Sequence, residues 1–505
     1  MARLIPIEYF DFRRGLNDST IPDIVDDREL MEALNCDLSD RGGFATRKGT
    51  VKHATISSSP VSRLFVFGRQ DGNIPLAVTN KKLVKWDGTE VYSELSSDNI
   101  DWTVHDGKLY IVDGTKYLVY DGDTCKEVTP HTPASGEPKA DLTGVKRCKY
   151  ILQRSNQFFA AGDAENPNTI YYSELTYPNY FKATSQIRAI SDDDDVIVGL
   201  AEFHKAMVVF KQRHIYAWFG MDPNDPNMRF DRINVHNGTV SQRTVVRAEN
   251  YLLYLAEDGV YALLGLEENY ISSVNVSKNI TRTIERLTNL ENACAIYHKG
   301  KYYCAVCDDG TGINNKVLVG HVTMMYTDEY GQIHIPWTIY DGWNVGSWAV
   351  KDGELYYGDA VTGNIYQAEV GYNDDGKPIH FRVKTKPFDL HEKFILKKFK
   401  QLLIAFKQYD VERSQVNVRV KIDYSERDYA LNVDESLIWG EGLWGFSYWG
   451  WTDLVTKEIK LRDRGHRIQL TFENDTVDTP VTIYGIGITA KFKRARGNRL
   501  GVEGI

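Results

Sequence analysis

The chain has 505 residues, beyond the roughly 250–300 that a single hydrophobic core usually serves, so at least two domains are expected. Hydrophobic residues at 42% and charged residues at 26% exclude wholesale disorder, and 60 basic against 69 acidic residues, net −9, argue against a protein that grips nucleic-acid phosphates. The 30 Tyr, 10 Trp and 40 Gly favour many short strands joined by tight turns.

From the N-terminus, "MARLIP" lacks a basic region followed by an apolar stretch, so no export signal is expected. No run approaches the roughly 18 apolar residues of a membrane span. The six Cys, at positions 36, 125, 148, 294, 304 and 307, form no disulfide framework, and a reducing cytoplasm is the expected site of synthesis. Residues 1–55 carry few strand signals and read as an N-terminal arm. Within it Asp27–Asn35 is expected to form a short helix, with Leu30 and Leu34 on one face.

Next comes a repeat of a polar turn, a short apolar–aromatic strand, a second turn and a second strand. Its first turns fall at Gly107, Asn156, Lys205, Asn250, Gly300 and Gly353, spaced 49, 49, 45, 50 and 53 residues apart, with a shorter unit near Gly72. A period of about 40–50 residues with hairpins in each unit is the mark of propeller blades. Six or seven blades are expected over residues 56–375; a sandwich array or β-solenoid, the rival folds, does not require this spacing. Between blades, Lys278–Leu287 predicts a second short helix, capped by Ser277 and striped by Ile280, Ile284 and Leu287. The run Asp192, Asp193, Asp194 and Asp195 is four adjacent carboxylates, which repel and belong in solvent. It reads as a solvated loop, or as part of a ring of negative charge at a channel or rim, or as a divalent-ion site.

A turn-rich linker, "GYNDDGKP", precedes a change of pattern. Val416, Val418, Val420 and Ile422 alternate with polar residues, as do Ile468, Leu470 and Phe472, and Ile486, Ile488 and Ala490. Period-two alternation means strands with one buried face, and residues 379–505 read as a β-sandwich. Within it Trp439, Trp444 and Trp449, each followed by Gly, recur every five residues, which is neither a helix nor a strand period. They read as a loop packed on the sandwich or as an aromatic contact with a partner. The closing Lys491, Lys493, Arg494, Arg496 and Arg499 are a candidate interface to an acidic neighbour, or a solvated tail. Charge is uneven: residues 379–505 hold 22 Lys/Arg against 17 Asp/Glu, and residues 1–378 hold 38 against 52.

Motifs of chemistry are missing from the sequence. No stretch matches the phosphate-cradling Gly-x-x-x-x-Gly-Lys-Ser/Thr loop. Around Ser447, "GFSYW" puts Trp449 where a nucleophile elbow needs its second Gly, and His391 has no second His four residues on. The Asp-box of propeller glycosidases is only grazed by "SSDNIDWT", where Ile100 replaces the Gly. Cys304 and Cys307 have zinc-like spacing without a second ligand pair and read as core cysteines. No catalytic residue, metal or cofactor is assigned.

Gly15-Leu16-Asn17, then Asn35-Cys36-Asp37-Leu38, then Gly43 through Arg47 to Gly49 stand in an order that resembles the opening of tail nozzle (tail hub, or tubular) proteins of short-tailed bacteriophages. The segment "NTIYYSELTYPNYF" with "VIVGLAEFHKAMVVFKQRHIYAWFG", and the Trp-Gly repeat, are similar to that family too. The resemblance implies a virion structural protein and not an enzyme. It implies a homohexameric ring that docks to the adaptor–portal complex, supports tail fibres and lets phage DNA pass without sequence-specific contact. Its place would be the tail of the virion, after assembly in the host cytoplasm. A baseplate or fibre-attachment protein is the alternative within that class; outside it stand a glycan-degrading propeller enzyme and a cellular interaction scaffold.

Overall fold

The computed structural model describes residues 6–188, 195–220, 223, 229–233, 237–267, 270–407, 409, 415–433 and 454–492, and its regular structure is nearly all strand. The chain divides into two compact units. Met1–Gly49, Pro336–Ile339 and Gly371–Ile505 make the first; Thr50–Ile335 and Tyr340–Val370 make the second.

Among the described residues, the second unit is a β-propeller of seven blades, six of them separate four-stranded sheets. Blade 1 runs from Arg63–Phe67 to Glu90–Tyr92, blade 2 from Asp101–His105 to Cys125–Glu127, and blade 3 from Tyr150–Arg154 to Tyr177–Arg188. Blade 4 runs from Ile197–Phe203 to Arg229–Ile233 and blade 5 from Val246–Ala248 to Tyr270–Asn275. Blade 6 holds Cys294–His298, Lys301–Val306 and Lys316–His321. Blade 7 holds Val345–Lys351, Glu354–Asp359 and Gly363–Ala368, and takes its outer strand from the start of the unit, Thr50–Ser57, with Ala54 opposite Ile365. This is why the propeller begins at Thr50, inside the segment read as an arm.

The repeat markers have one structural meaning. Gly107, Asn156, Lys205, Asn250, Gly300 and Gly353 each lie in the turn joining the first two strands of a blade. Two-residue hairpins of type I′ need positive φ at both central residues. Asp106–Gly107 (φ 48° and 67°), Ser155–Asn156 (50° and 61°), Lys299–Gly300 (44° and 83°) and Asp352–Gly353 (53° and 80°) meet that need. The first strands of neighbouring blades lie beside one another and line the axis.

The middle strands read as unbroken apolar runs because both faces are covered. In Gln157–Ala161, Phe158 and Ala160 pack with Tyr110 and Val112 of blade 2, while Phe159 and Ala161 pack with Met207 and Val209 of blade 4. Blade 4 repeats the device: Val208 and Phe210 turn instead to Leu252 and Tyr254 of blade 5. Blade 7 meets blade 1 through Tyr356, Ile365, Leu64 and Ala77. Each buried aromatic or aliphatic side chain contributes about 1.5–3 kcal/mol, so it is the contacts between blades that hold the unit together.

The first unit is a sandwich of two sheets among its described residues. One orders Cys36–Leu38, Phe44–Thr46, Thr482–Phe492, Lys397–Lys407 and Leu454–Lys460, with Ile7–Tyr9 also on Thr482–Phe492. The other orders Gly15–Leu16, Glu29–Leu34, Phe381–Thr385, Ile468–Asn474, Gln415–Ile422 and Ser425–Asn432. Val416, Val418, Val420, Ile422, Ile468, Leu470 and Phe472 are buried from one sheet, and Phe44, Leu402, Ile404, Ile486 and Ile488 from the other. The Phe44 and Phe472 rings meet across the core at 5.8 Å.

Three expectations are corrected. Residues 1–55 are not an arm: strands between Ile7 and Thr46 join both sheets of the sandwich, and Thr50–Ser57 joins blade 7. The segment Asp27–Asn35 is not a helix: Glu29–Leu34 is a strand paired with Phe381–Thr385. The helix at Lys278–Leu287 is shorter than its pattern, a 3₁₀ turn Lys278–Ile280 running into Thr281–Ile284. Ile280 and Ile284 are buried, and the Ser277 side chain makes no cap bond.

The early motif residues wire the sandwich. Gly15 has φ +66°, and a Cβ there would stand 2.7 Å from the Trp337 carbonyl oxygen. Asn17 Nδ2 donates to Glu29 Oε2 at 2.8 Å. Asn35, buried and at φ 50°, donates through Nδ2 to the His380 carbonyl and accepts from Arg47 Nε at 2.8 Å. Arg47, 1% exposed, grips Asp374 with Nη1 and Nη2 at 3.0 and 2.6 Å. Gly49 passes so close to Asn373 that a Cβ would lie 1.8 Å from its carbonyl oxygen.

Candidate functional site

At one end of the propeller axis the first residues of several axial strands converge. Arg63 opens blade 1, Asp101 opens blade 2, Cys294 opens blade 6, and Arg243 sits in the 3₁₀ turn Gln242–Thr244 just before blade 5. Arg63 lies within electrostatic reach of Arg243, Asp101, Cys294 and Tyr150. Burial, and then the second guanidinium of Arg243, press the Arg63 pKa down to about 9. Asp101 accepts the Ile151 N–H at 3.0 Å, yet burial pushes its carboxyl upward. Burial also raises the Cys294 thiol.

The two guanidiniums are sparsely engaged. Arg63 Nη2 donates to Asn99 Oδ1 at 2.7 Å. Arg243 Nη2 reaches across to blades 7 and 1, donating to the Gly346 carbonyl and, at 3.4 Å, to the Ser62 carbonyl. The Nε of each is buried without a partner. A cavity of about 300 Å³ opens here, lined by Pro60, Ser62, Asp98, Asn99, Arg243 and Asn314 among others. Both arginines are half-buried, and Arg243 lines the cavity. This arrangement sets the two guanidiniums among the carboxylates of Asp98, Asp101 and Glu291.

The sequence-predicted residues fall elsewhere. Asp192, Asp193, Asp194, Trp439, Trp444, Trp449, Lys493, Arg494, Arg496 and Arg499 lie outside the described residues. Asp195 corrects the solvent or rim reading for its own position: it is 4% exposed. It accepts from the Gln212 and Arg213 N–H groups at 3.0 and 2.9 Å and from His214 Nδ1 at 3.0 Å, pinning the turn between two strands of blade 4. Lys491 is exposed near the end of Thr482–Phe492, opposite Lys398. Cys304 and Cys307 are free and buried. Among the described residues no three His, Cys, Asp or Glu are placed to hold a metal ion, and no helix is long and apolar enough to cross a membrane.

Comparison with known proteins adds little. No family model matches the chain, and no curated protein does. Among solved structures, the Neurospora crassa Pan2 WD40 domain is 11% identical, with a TM-score of 0.34 over 66% of this chain and 97% of that one. The extracellular domain of the putative one-component system BT4673 from B. thetaiotaomicron is 8% identical, with a TM-score of 0.42 over 86% of this chain and 62% of that one. An exo-beta-1,3-galactanase from Phanerochaete chrysosporium is 10% identical, with a TM-score of 0.20 over 67% of this chain and 94% of that one. Similarities this distant carry no argument about function; the propeller rests on its own repeated four-stranded blades.

Sequence reasoning missed Arg63, Asp101 and Arg243. In the sequence they stand 38 and 142 residues apart, and only ring closure brings them together. The one local signal is a charged residue at the head of an otherwise apolar strand, as in "SRLFVF".

Proposed function

We propose that this chain is a structural protein of a short-tailed phage tail, a nozzle or hub subunit without catalytic activity. In this reading copies of the chain form a ring, dock to the adaptor–portal side of the tail, support fibres and leave a passage for DNA. One observation carries the reading. The residues in which the resemblance lies, Gly15, Asn17, Asn35, Arg47 and Gly49, are those that set close backbone approaches and buried bonds in the sandwich. A resemblance concentrated in such positions is one of framework, not of scattered surface residues.

The same reading constrains the DNA path. Arg243 bridges toward blades 7 and 1, and the axial cavity is about 300 Å³. In this reading the passage for DNA lies between copies of the chain, not through one propeller. The test is immunogold labelling of phage particles from a lysate of the source. Gold at the tail tip is the expected result. Intact tailed particles that never label, with the protein confined to the soluble fraction, would overturn the proposal.

A further inference from the structure

We propose that a groove in the sandwich unit is a binding site for an oligosaccharide, whose sugar rings lie against Phe394 and Tyr424. The inference goes beyond the tail reading and does not depend on it.

Burial of apolar surface does not account for where these two aromatics stand. Tyr424 is 102% exposed and Phe394 89%. Tyr424 sits in the two-residue turn between Gln415–Ile422 and Ser425–Asn432, a position where hairpins favour Gly or Asn. Both line one groove of about 760 Å³, together with Pro22, Pro387, Lys421 and Gln469. That volume lies within the range of small-ligand pockets, about 300–1,000 Å³. Large apolar side chains left exposed together mark a contact surface.

The walls of the groove are tied to one another. The buried Lys397 ammonium donates to the carbonyls of Glu392, Ile395 and His466, joining the loop of Phe394 to the segment of His466. Asp23 meets Lys393 at 3.2 Å and accepts from both terminal nitrogens of Arg467. Asp423, beside Tyr424, accepts the His466 and Arg467 N–H groups at 2.9 and 3.1 Å. Four loops are thus fixed before a ligand arrives, and preorganised walls lose little freedom on binding.

The chemistry of the lining names the ligand. Lys393, Lys421 and Arg467 face Asp23 and Asp423, a surplus of one positive charge, and two of the three cations are held by Asp23. Such near balance calls for no strongly charged ligand. Lys421 Nζ, His466 Nε2, Gln469 Oε1 and Tyr424 Oη have no partner among the described residues, so donors and acceptors both stay open. A pyranose ring has a C–H face that packs on an aromatic ring and a rim of hydroxyls that donate and accept. A stable protein interface takes about 20–30 residues a side, and eleven line this groove. Burial alone would raise both carboxyls. Bonds from Lys393 and Arg467 nonetheless hold Asp23 below the usual carboxylate range, and bonds from His466 and Arg467 do so for Asp423. Glycoside cleavage needs a protonated carboxyl, so the groove binds and does not cut.

The test is saturation-transfer NMR on the full chain with maltotriose, cellotriose, chitotriose and laminaritriose in turn. At least one should bind saturably, with a Kd of about 1 mM or tighter and the strongest transfer to ring C–H protons. Tyr424→Ala and Phe394→Ala should each weaken that binding about tenfold; both side chains are exposed, so the fold tolerates their loss. Binding should persist in about 0.5 M NaCl, where charge contacts are screened. No saturable binding of any of the four, binding unchanged in the variants, or binding lost in salt would overturn the proposal. So would self-association of the chain that either variant abolishes, because the groove would then belong to a second copy.

Discussion

Asp163 accepts bonds from every side. Arg147 donates to it through Nε and Nη2 at 3.0 and 2.9 Å, Tyr171 Oη at 2.6 Å, Asn166 Nδ2 at 3.2 Å and the Glu165 N–H at 3.0 Å. Burial alone would raise its pKa, but the bonds from Arg147 and Tyr171 outweigh that and hold it at about 2. A carboxyl depressed in the folded state stabilises fully above its unfolded pKa of about 3.9, and that contribution fades as pH falls toward 2. Asp163→Asn should therefore lose about 2 kcal/mol at pH 7 and roughly a third of that at pH 2.5, measured by urea unfolding at both values. Arg47→Lys should cost about 2–4 kcal/mol, since a point charge cannot grip Asp374 with two parallel bonds and still reach Asn35. A midpoint of unfolding unchanged from the parent would refute that. The sequence shows such residues without their partners: Asp195 looked like one of four repelling charges because its three donors lie 17–19 residues away.

At the level of elements, the turns were the readable part. A Gly or Asn at positive φ leaves its mark in composition, so Gly107, Asn156 and Gly300 announced the hairpins before any strand was placed. Gly107→Val should cost about 1–2 kcal/mol through backbone strain alone, because nothing lies within 4 Å of the added Cβ. Gly107→Asn should be nearly neutral, and equal losses for both variants would point to something other than φ. Phe158→Ala should cost about 3–5 kcal/mol by opening a cavity between blades 2 and 3, read as a lowered chemical midpoint at constant m-value. The helix read at Asp27–Asn35 has a physical origin. A β-bulge between Leu30 and Glu32 breaks the alternation of the strand, so Glu29, Leu30 and Ala33 are buried at a spacing that imitates a helical stripe.

For the molecule as a whole, the period of the repeat and the alternation after residue 379 made both folds legible. What stayed hidden was which distant segments complete each unit: the closing strand of blade 7, the strands drawn from the first 49 residues, and the arginine pair on the axis. The opposed charge of residues 1–378 and 379–505 bears on assembly in the proposed reading. If copies associate through it, raising salt toward 1 M, where the screening length shrinks to about 3 Å, should shift light-scattering mass toward the monomer. A mass indifferent to salt would remove electrostatics from the interface.

The pairing of Thr50–Ser57 with Gly363–Ala368 also sets a timetable. A ribosome releasing this chain delivers one edge of blade 7 first and its partner only after six other blades have emerged. Until then the outer strand waits with its hydrogen-bonding groups open, and the nascent ring stays a C-shaped intermediate. Closing so long a loop makes for slow folding and lengthens the exposure of an unpaired edge. A pulse of hydrogen exchange during refolding should accordingly find Lys52 and Ala54 protected later than Phe158 and Val208.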